Sequence, residues 1–251
     1  MRLCVAVPGF FKNDDFCTAI RKIGALGFDA AETYNWKVLD LDAVRAVCEE
    51  TGVELMSICT SCFELTSPES REKYLTCLRE SCEAAKRLGV KRLITQGGRN
   101  TGEPREDQHK SIVETLHACV PILEEYGMTL MIEPLNTYVD HKSSYLWSSA
   151  EAFDIVKEVG SRHVRVIFDI YHQQIMEGNI LSNILNNLEY IAHLHAAGTD
   201  GRHELWLGEN NFEYIFDAID NAGYTGVCGL EYGPTLPPEE SLRLAKERYS
   251  K

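Results

Sequence analysis

The feature that most constrains this chain is an alternation sustained along its whole length. Short apolar or β-branched runs are separated by longer amphipathic ones. Such a rhythm marks a parallel sheet whose strands are joined by crossover helices. The runs predict eight strands, at 3–7, 29–32, 54–59, 92–95, 129–133, 165–169, 191–195 and 226–231. They also predict helices at 14–26, 42–51, 70–88, 106–126, 149–159, 180–188, 212–222 and 239–248. Gly27, Gly52, Gly89, Gly127, Gly160 and Gly223 stand where those helices stop, placed to take a left-handed closing conformation. Eight strand–helix units and no linker predict an α/β fold, a (β/α)8 TIM barrel, with residues 1–251 forming one domain.

Composition narrows the function. With 44% hydrophobic and 25% charged residues the chain can bury a sizeable core. A formal net charge of −13 speaks against a nucleic-acid partner, whose phosphates call for clustered Lys and Arg. No segment approaches the roughly 18–20 apolar residues that span a bilayer. The apolar start ends in Lys12-Asn-Asp-Asp15 without a small-residue cleavage site, so no membrane partner and a cytoplasmic location are expected. Nine scattered cysteines do not resemble a secreted disulfide framework, and most are read as small buried hydrophobes. Cys59-Thr-Ser-Cys62 lacks the second pair of a structural zinc site and is read as packing.

The chemistry lies where the late strands end. The fifth to eighth runs finish in Glu133, Asp169, His195 and Glu231, at separations of 36, 26 and 36 residues. Each interval is close to one strand–helix unit, so four successive strands bring one polar side chain each to the carboxyl rim, where barrels build active sites. A single carboxylate there would be read as a cap on the next helix. Four in a row, each behind a buried apolar strand, are read as a metal site. One imidazole and three carboxylates suit a divalent ion: Mn²⁺, Mg²⁺, Co²⁺ or Zn²⁺. Glu133 and Glu231, on non-adjacent strands, are the candidate catalytic pair, removing a proton beside a carbonyl and returning it elsewhere. His172 and Arg202 are the candidate substrate-binding residues, Arg202 for a carboxylate or hydroxyl. Trp36 and Trp206 are candidates for an apolar wall, with Glu32 and Gln96 as further candidate members of the site.

On these residues the chain resembles the hydroxypyruvate isomerase family within the xylose-isomerase-like barrels. The match runs through Ile132-Glu-Pro-Leu-Asn136, Phe168-Asp-Ile-Tyr-His-Gln-Gln-Ile-Met-Glu-Gly-Asn179, Gly201-Arg-His-Glu204, Gly208-Glu-Asn-Asn-Phe212 and Gly229-Leu-Glu-Tyr232. In the N-terminal half it rests on the strand–helix pattern and on Gln96-Gly-Gly-Arg99. The resemblance implies a barrel, a divalent metal and proton transfer by two glutamates, which fall here on Glu133 and Glu231. His172 and Arg202 fall where related sugar epimerases contact substrate. Hydroxypyruvate isomerases often carry Gln where this chain has His195, whereas ketose 3-epimerases use His.

The leading expectation is therefore an isomerase acting on hydroxypyruvate, tartronate semialdehyde or a similar short hydroxy-oxo acid. A ketose 3-epimerase using the same residues is the alternative. An endonuclease-IV-like nuclease would need a basic groove, and a Schiff-base aldolase would need a Lys ending a late strand, which is absent. A non-catalytic sugar-binding protein would not need two carboxylates facing a metal. Oligomeric state is left open, a homo-oligomer included.

Overall fold

In the computed structural model, which describes residues 1–250, the first half contributes β1 (Arg2–Ala6), α1 (Val7–Phe10), α2 (Phe16–Ala25), β2 (Ala30–Glu32), α3 (Leu41–Thr51), β3 (Glu54–Leu55), β4 (Ile58–Cys59), α4 (Arg71–Leu88), β5 (Arg92–Gln96) and α5 (Arg105–Tyr126). The second half contributes β6 (Thr129–Glu133), α6 (Ser149–Val159), β7 (Val164–Asp169), α7 (Ile170–Met176), α8 (Ile180–Leu185), β8 (Ile191–Ala196), α9 (Phe212–Asn221), β9 (Val227–Leu230) and α10 (Pro238–Tyr249). All paired strands are parallel, in the order β3-β2-β1-β9-β8-β7-β6-β5-β4.

The two ends of that order are halves of one run. The predicted third strand, 54–59, breaks at Met56-Ser57: its first half pairs with β2 and its second with β5. Backbone bonds from Met56 to Ala31 and from Cys59 to Tyr34 carry the chain across the break, and the sheet closes into the expected barrel.

Each helix shows why it forms. In α2 the Asp15 carboxylate accepts from the Thr18 N–H at its start, and Ala19, Ile20 and Ile23 make a buried stripe. Similar stripes on the other helices pack against the outer faces of the strands as the main core. Inside the barrel a plug of small and medium side chains, including Cys4, Ala30, Ile94, Met131, Ile167 and Val227, is buried in two clusters. Side chains alternate along a strand, so the residue two positions beyond a plug residue faces the same way, one layer higher. That step leads from Ala30 to Glu32, from Ile94 to Gln96, from Met131 to Glu133 and from Ile167 to Asp169.

The structure departs from the sequence expectations in several places. Asp169 is followed at once by α7, whose N-terminus it caps by accepting from the Tyr171 N–H. The helix expected over 180–188 stops at Leu185 and a separate turn follows. Cys62, expected as packing, is bonded to Cys77, because the loop after β4 folds back against α4 and brings the two Cα atoms to 5.9 Å. Most other cysteines are buried thiols, as expected. No helix among the described residues is long and apolar enough to cross a membrane.

Candidate active site

The four strand-end residues meet. Glu133 and Asp169 end β6 and β7, His195 is the penultimate residue of β8, and Glu231 follows β9. One ligand atom from each lies within 4.8 Å of the others. His195 Nδ1 is 3.5 Å from Glu133 Oε1 and 3.1 Å from Glu231 Oε2. Asp169 Oδ2 and His195 Nδ1 are buried without a hydrogen-bond partner. Buried polar atoms without a partner are costly unless something else engages them. The donor set therefore fits a divalent cation: buried, converging, and of carboxylate and imidazole character.

The electrostatics agree with a crowded anionic site. Burial, with Glu231 nearby, pushes the Asp169 carboxyl up to about 6. Burial would raise Glu231 too, but His195 and Arg202 outweigh it and hold that carboxyl below the usual range. His195 is likewise opposed by burial, yet Glu32 and Glu231 hold its imidazolium form well above the ordinary range. Burial pushes the Tyr34 phenol up, and Glu231, which accepts its hydrogen bond, adds to the shift.

Beneath His195 lies a second buried group. Glu32 Oε2 accepts from Ser57 Oγ at 2.8 Å and pairs with His193 Nε2 at 2.9 Å; its Oε1 is 2.9 Å from His195 Nε2. Glu32 thus enters the site from below, its charge against the far edge of His195 while the near edge faces the carboxylates. The space it needs comes from Gly229 on β9, where a Cβ would lie 2.2 Å from Glu32 Oε1.

A cavity of about 480 Å³ opens above these residues, lined by Glu133, His172, His195, Arg202 and Glu231 together with Trp36, Gln96 and others. Trp36 and Gln96 are thus at the cavity as expected. Trp206 is not: its ring packs under the Arg248 guanidinium at 4.5 Å, because the loop after β8 turns it toward α10. Arg202 takes a left-handed backbone conformation, φ 58°, unusual outside glycine and associated with functional turns. It places Nη2 2.7 Å from Glu231 Oε2 and 3.6 Å from Asp169 Oδ2. The neighbours of Arg202 hold that loop: the buried Glu204 accepts from the N–H groups of Thr235 and Leu236.

The sequence reading missed Tyr34, His141 and Cys59 on the cavity wall and His193 and Asn136 behind it. Two of these left a signal: Asn136 closes the Ile132–Asn136 motif without having been given a role, and His193 stands two residues before His195 on one strand and so faces the same way. Much of the long motif around 173–177 is structural. Gln173 donates to the Pro134 carbonyl and the Glu177 carboxylate accepts from the Ser149 N–H, bracing the segment after β6.

The profile of the family described as "Xylose isomerase-like TIM barrel" matches residues 20–248. The chain belongs to that family. Within it, hydroxypyruvate isomerase of Escherichia coli is 30% identical over 177 residues, covering 70% of this chain and 68% of the relative. A putative hydroxypyruvate isomerase of Homo sapiens is 28% identical over 238 residues, 89% and 86% of the two chains. The family resemblance read from the motifs therefore holds, and the protein is an isomerase. Among solved structures, a Brucella melitensis protein described as AP endonuclease, family 2 superposes with a TM-score of 0.93 at 22% identity, covering 99% of each chain. D-psicose 3-epimerase of Clostridium cellulolyticum H10 gives 0.84 at 19% identity over the full length of both. These two likenesses establish the fold of this xylose-isomerase-like barrel.

Proposed function

We propose that this protein moves a proton between the neighbouring carbons of a short hydroxy-oxo acid, of the hydroxypyruvate and tartronate semialdehyde type, in a single barrel domain. The observation that carries the reading is the convergence of Glu133 and Glu231 on His195 Nδ1 at the floor of one cavity. Two carboxylates reaching one small space can serve as the base that takes a carbon-bound proton and the acid that returns it.

One glutamate removes a proton from the hydroxyl-bearing carbon, the substrate passes through an enediolate, and a proton is delivered to the former carbonyl carbon. The hydroxyl proton transfers to the former carbonyl oxygen, so the product is the isomer with no net redox change. A divalent ion held by Glu133, Asp169, His195 and Glu231, with Mn²⁺, Mg²⁺, Co²⁺ or Zn²⁺ as candidates, would supply polarisation of the substrate carbonyl. Arg202 supports the reading twice, by holding Glu231 and by turning a guanidinium toward the cavity, where a substrate carboxylate would find a planar fork. Tyr34 orients the other Glu231 oxygen.

A ketose 3-epimerase is favoured by one residue, His195, and uses the same groups to return the proton to the opposite face of one carbon. Proton NMR in D₂O separates the two, using metal-loaded protein with hydroxypyruvate and, in parallel, a panel of ketoses. The proposal expects tartronate semialdehyde carrying deuterium at the newly protonated carbon. Turnover of a ketose alone would give the epimerase reading its place, and product without solvent deuterium would sink proton transfer by the glutamates.

A further inference from the structure

What His172 can do at the cavity wall depends on which ring nitrogen carries the proton. Its surroundings decide that. Nδ1 faces the Asn136 backbone N–H at 3.3 Å and the Asn136 side-chain nitrogen at 2.7 Å. A backbone N–H can only donate. The orientation of the Asn136 amide is fixed separately, because its oxygen accepts from the N–H groups of Val139 and Asp140, both at 3.0 Å. Its nitrogen also donates to Asp140 Oδ2 at 2.8 Å, a carboxylate itself held by the Tyr171 hydroxyl at 2.9 Å. Turning the amide over would set its oxygen against that carboxylate and its NH₂ against two N–H groups. Nδ1 must then be the acceptor, and the proton sits on Nε2.

Nε2 is 3.4 Å from Asp169 Oδ2, beyond the usual range of an N–H···O bond, while the ring lines the cavity. Its donor is left for a substrate oxygen. We propose that Asn136 is a positioning residue that locks His172 in the Nε2–H tautomer, so that His172 serves only as a neutral hydrogen-bond donor to a carbonyl or enediolate oxygen and never as a base. The inference rests on the proposed isomerase chemistry and deepens it. The base role falls entirely to the glutamates, and the substrate atom lying against His172 must be an acceptor that gains negative charge.

The test reads the proton directly. In ¹⁵N-labelled wild-type protein, two-bond ¹H–¹⁵N correlations should show His172 with a bare Nδ1 and a protonated Nε2, the signal being assigned by its loss in His172→Gln. Asn136→Asp combined with Asp140→Asn, which avoids setting two carboxylates against each other, places an acceptor against Nδ1 and should draw the proton there. Turnover, kcat, should then fall by roughly 10²-fold, as for loss of one oxyanion donor, with a much smaller change in KM. A wild-type proton on Nδ1, a double variant that leaves the proton on Nε2, or one that shifts it and keeps its kcat, overturns the lock. The wild-type spectrum needs no variant to fold. It is also read without substrate: a wrong tautomer in an active enzyme overturns the lock alone. The right tautomer in a protein that turns over neither oxo acids nor ketoses overturns the functional reading and the role of His172 within it.

Discussion

Glu32→Ala removes a carboxylate that two buried imidazoles and a buried hydroxyl share. Glu32, His193 and Ser57 are each 0% exposed and His195 is 1% exposed, so bulk solvent does not reach the groups that Glu32 faces, His193 Nε2, Ser57 Oγ and the far edge of His195. Breaking a buried pair from one side costs about 3–5 kcal/mol, since the partner is left uncompensated. In a domain of this length each kcal/mol moves the melting temperature by about 2–4 °C, which predicts a fall of roughly 6–20 °C. Because Glu32 also fixes the His195 ring, affinity for a divalent ion should drop about 10–100-fold. Burial alone would raise the Glu32 carboxyl, but His195 and His193 outweigh it and hold it well below its ordinary 4.5. Its stabilisation is then present above that ordinary value and lost as pH falls through the lower folded value. The penalty of the variant should accordingly be full at neutral pH and shrink only in acid. Scanning calorimetry at several pH values and Mn²⁺ titration calorimetry measure both effects. A melting temperature within about 2 °C of wild type at pH 7, with unchanged Mn²⁺ affinity, would refute the supporting role.

Glu133→Gln and Glu231→Gln should each lower kcat by roughly 10²- to 10⁴-fold on the identified substrate, and near-wild-type turnover by both would end the two-glutamate mechanism. Arg202→Ala should raise KM for an oxo acid more than for a neutral ketose; equal rises would remove the argument for an acidic substrate. Because the Asp169 carboxyl is pushed up to about 6, it binds a proton below that value and must lose it to ligate an ion. His195 must also give up its proton throughout this range, so metal affinity measured by calorimetry should fall with pH from 7 to 5 and more steeply below about 6. A slope that does not steepen there, or that is unchanged in Asp169→Asn, would count against Asp169 as a ligand.

Periodicity along the chain was enough to fix the order of elements, since burial of an apolar stripe every two or every 3.6 residues is a local property. It was also enough to nominate Glu133, Asp169, His195 and Glu231. Parallel strands in register place equivalent ends at one rim, so a polar residue closing each of four apolar runs needed no knowledge of long-range contacts to stand out. The same logic failed for Trp206, whose direction depends on the path of a loop, and for Cys62, whose partner lies on the following helix. It gave no hint that residues 54–59 would split, because closing the barrel asks one short run to pair with a strand on each side.

The sequence by itself thus determined which residues carry charge and which end of each strand they occupy. Only the tertiary structure decided how those charges are held. Glu32 meets His193 from 161 residues away, Tyr34 reaches Glu231 across 197, and Asn136 fixes His172 from another strand end. The first two pairings follow from closure of the sheet into a barrel, which brings the first strands against the last, and the third from the neighbouring ends of two adjacent strands. No periodicity within a single run reports on that step, because the contacts that orient a side chain belong to segments the local pattern cannot see.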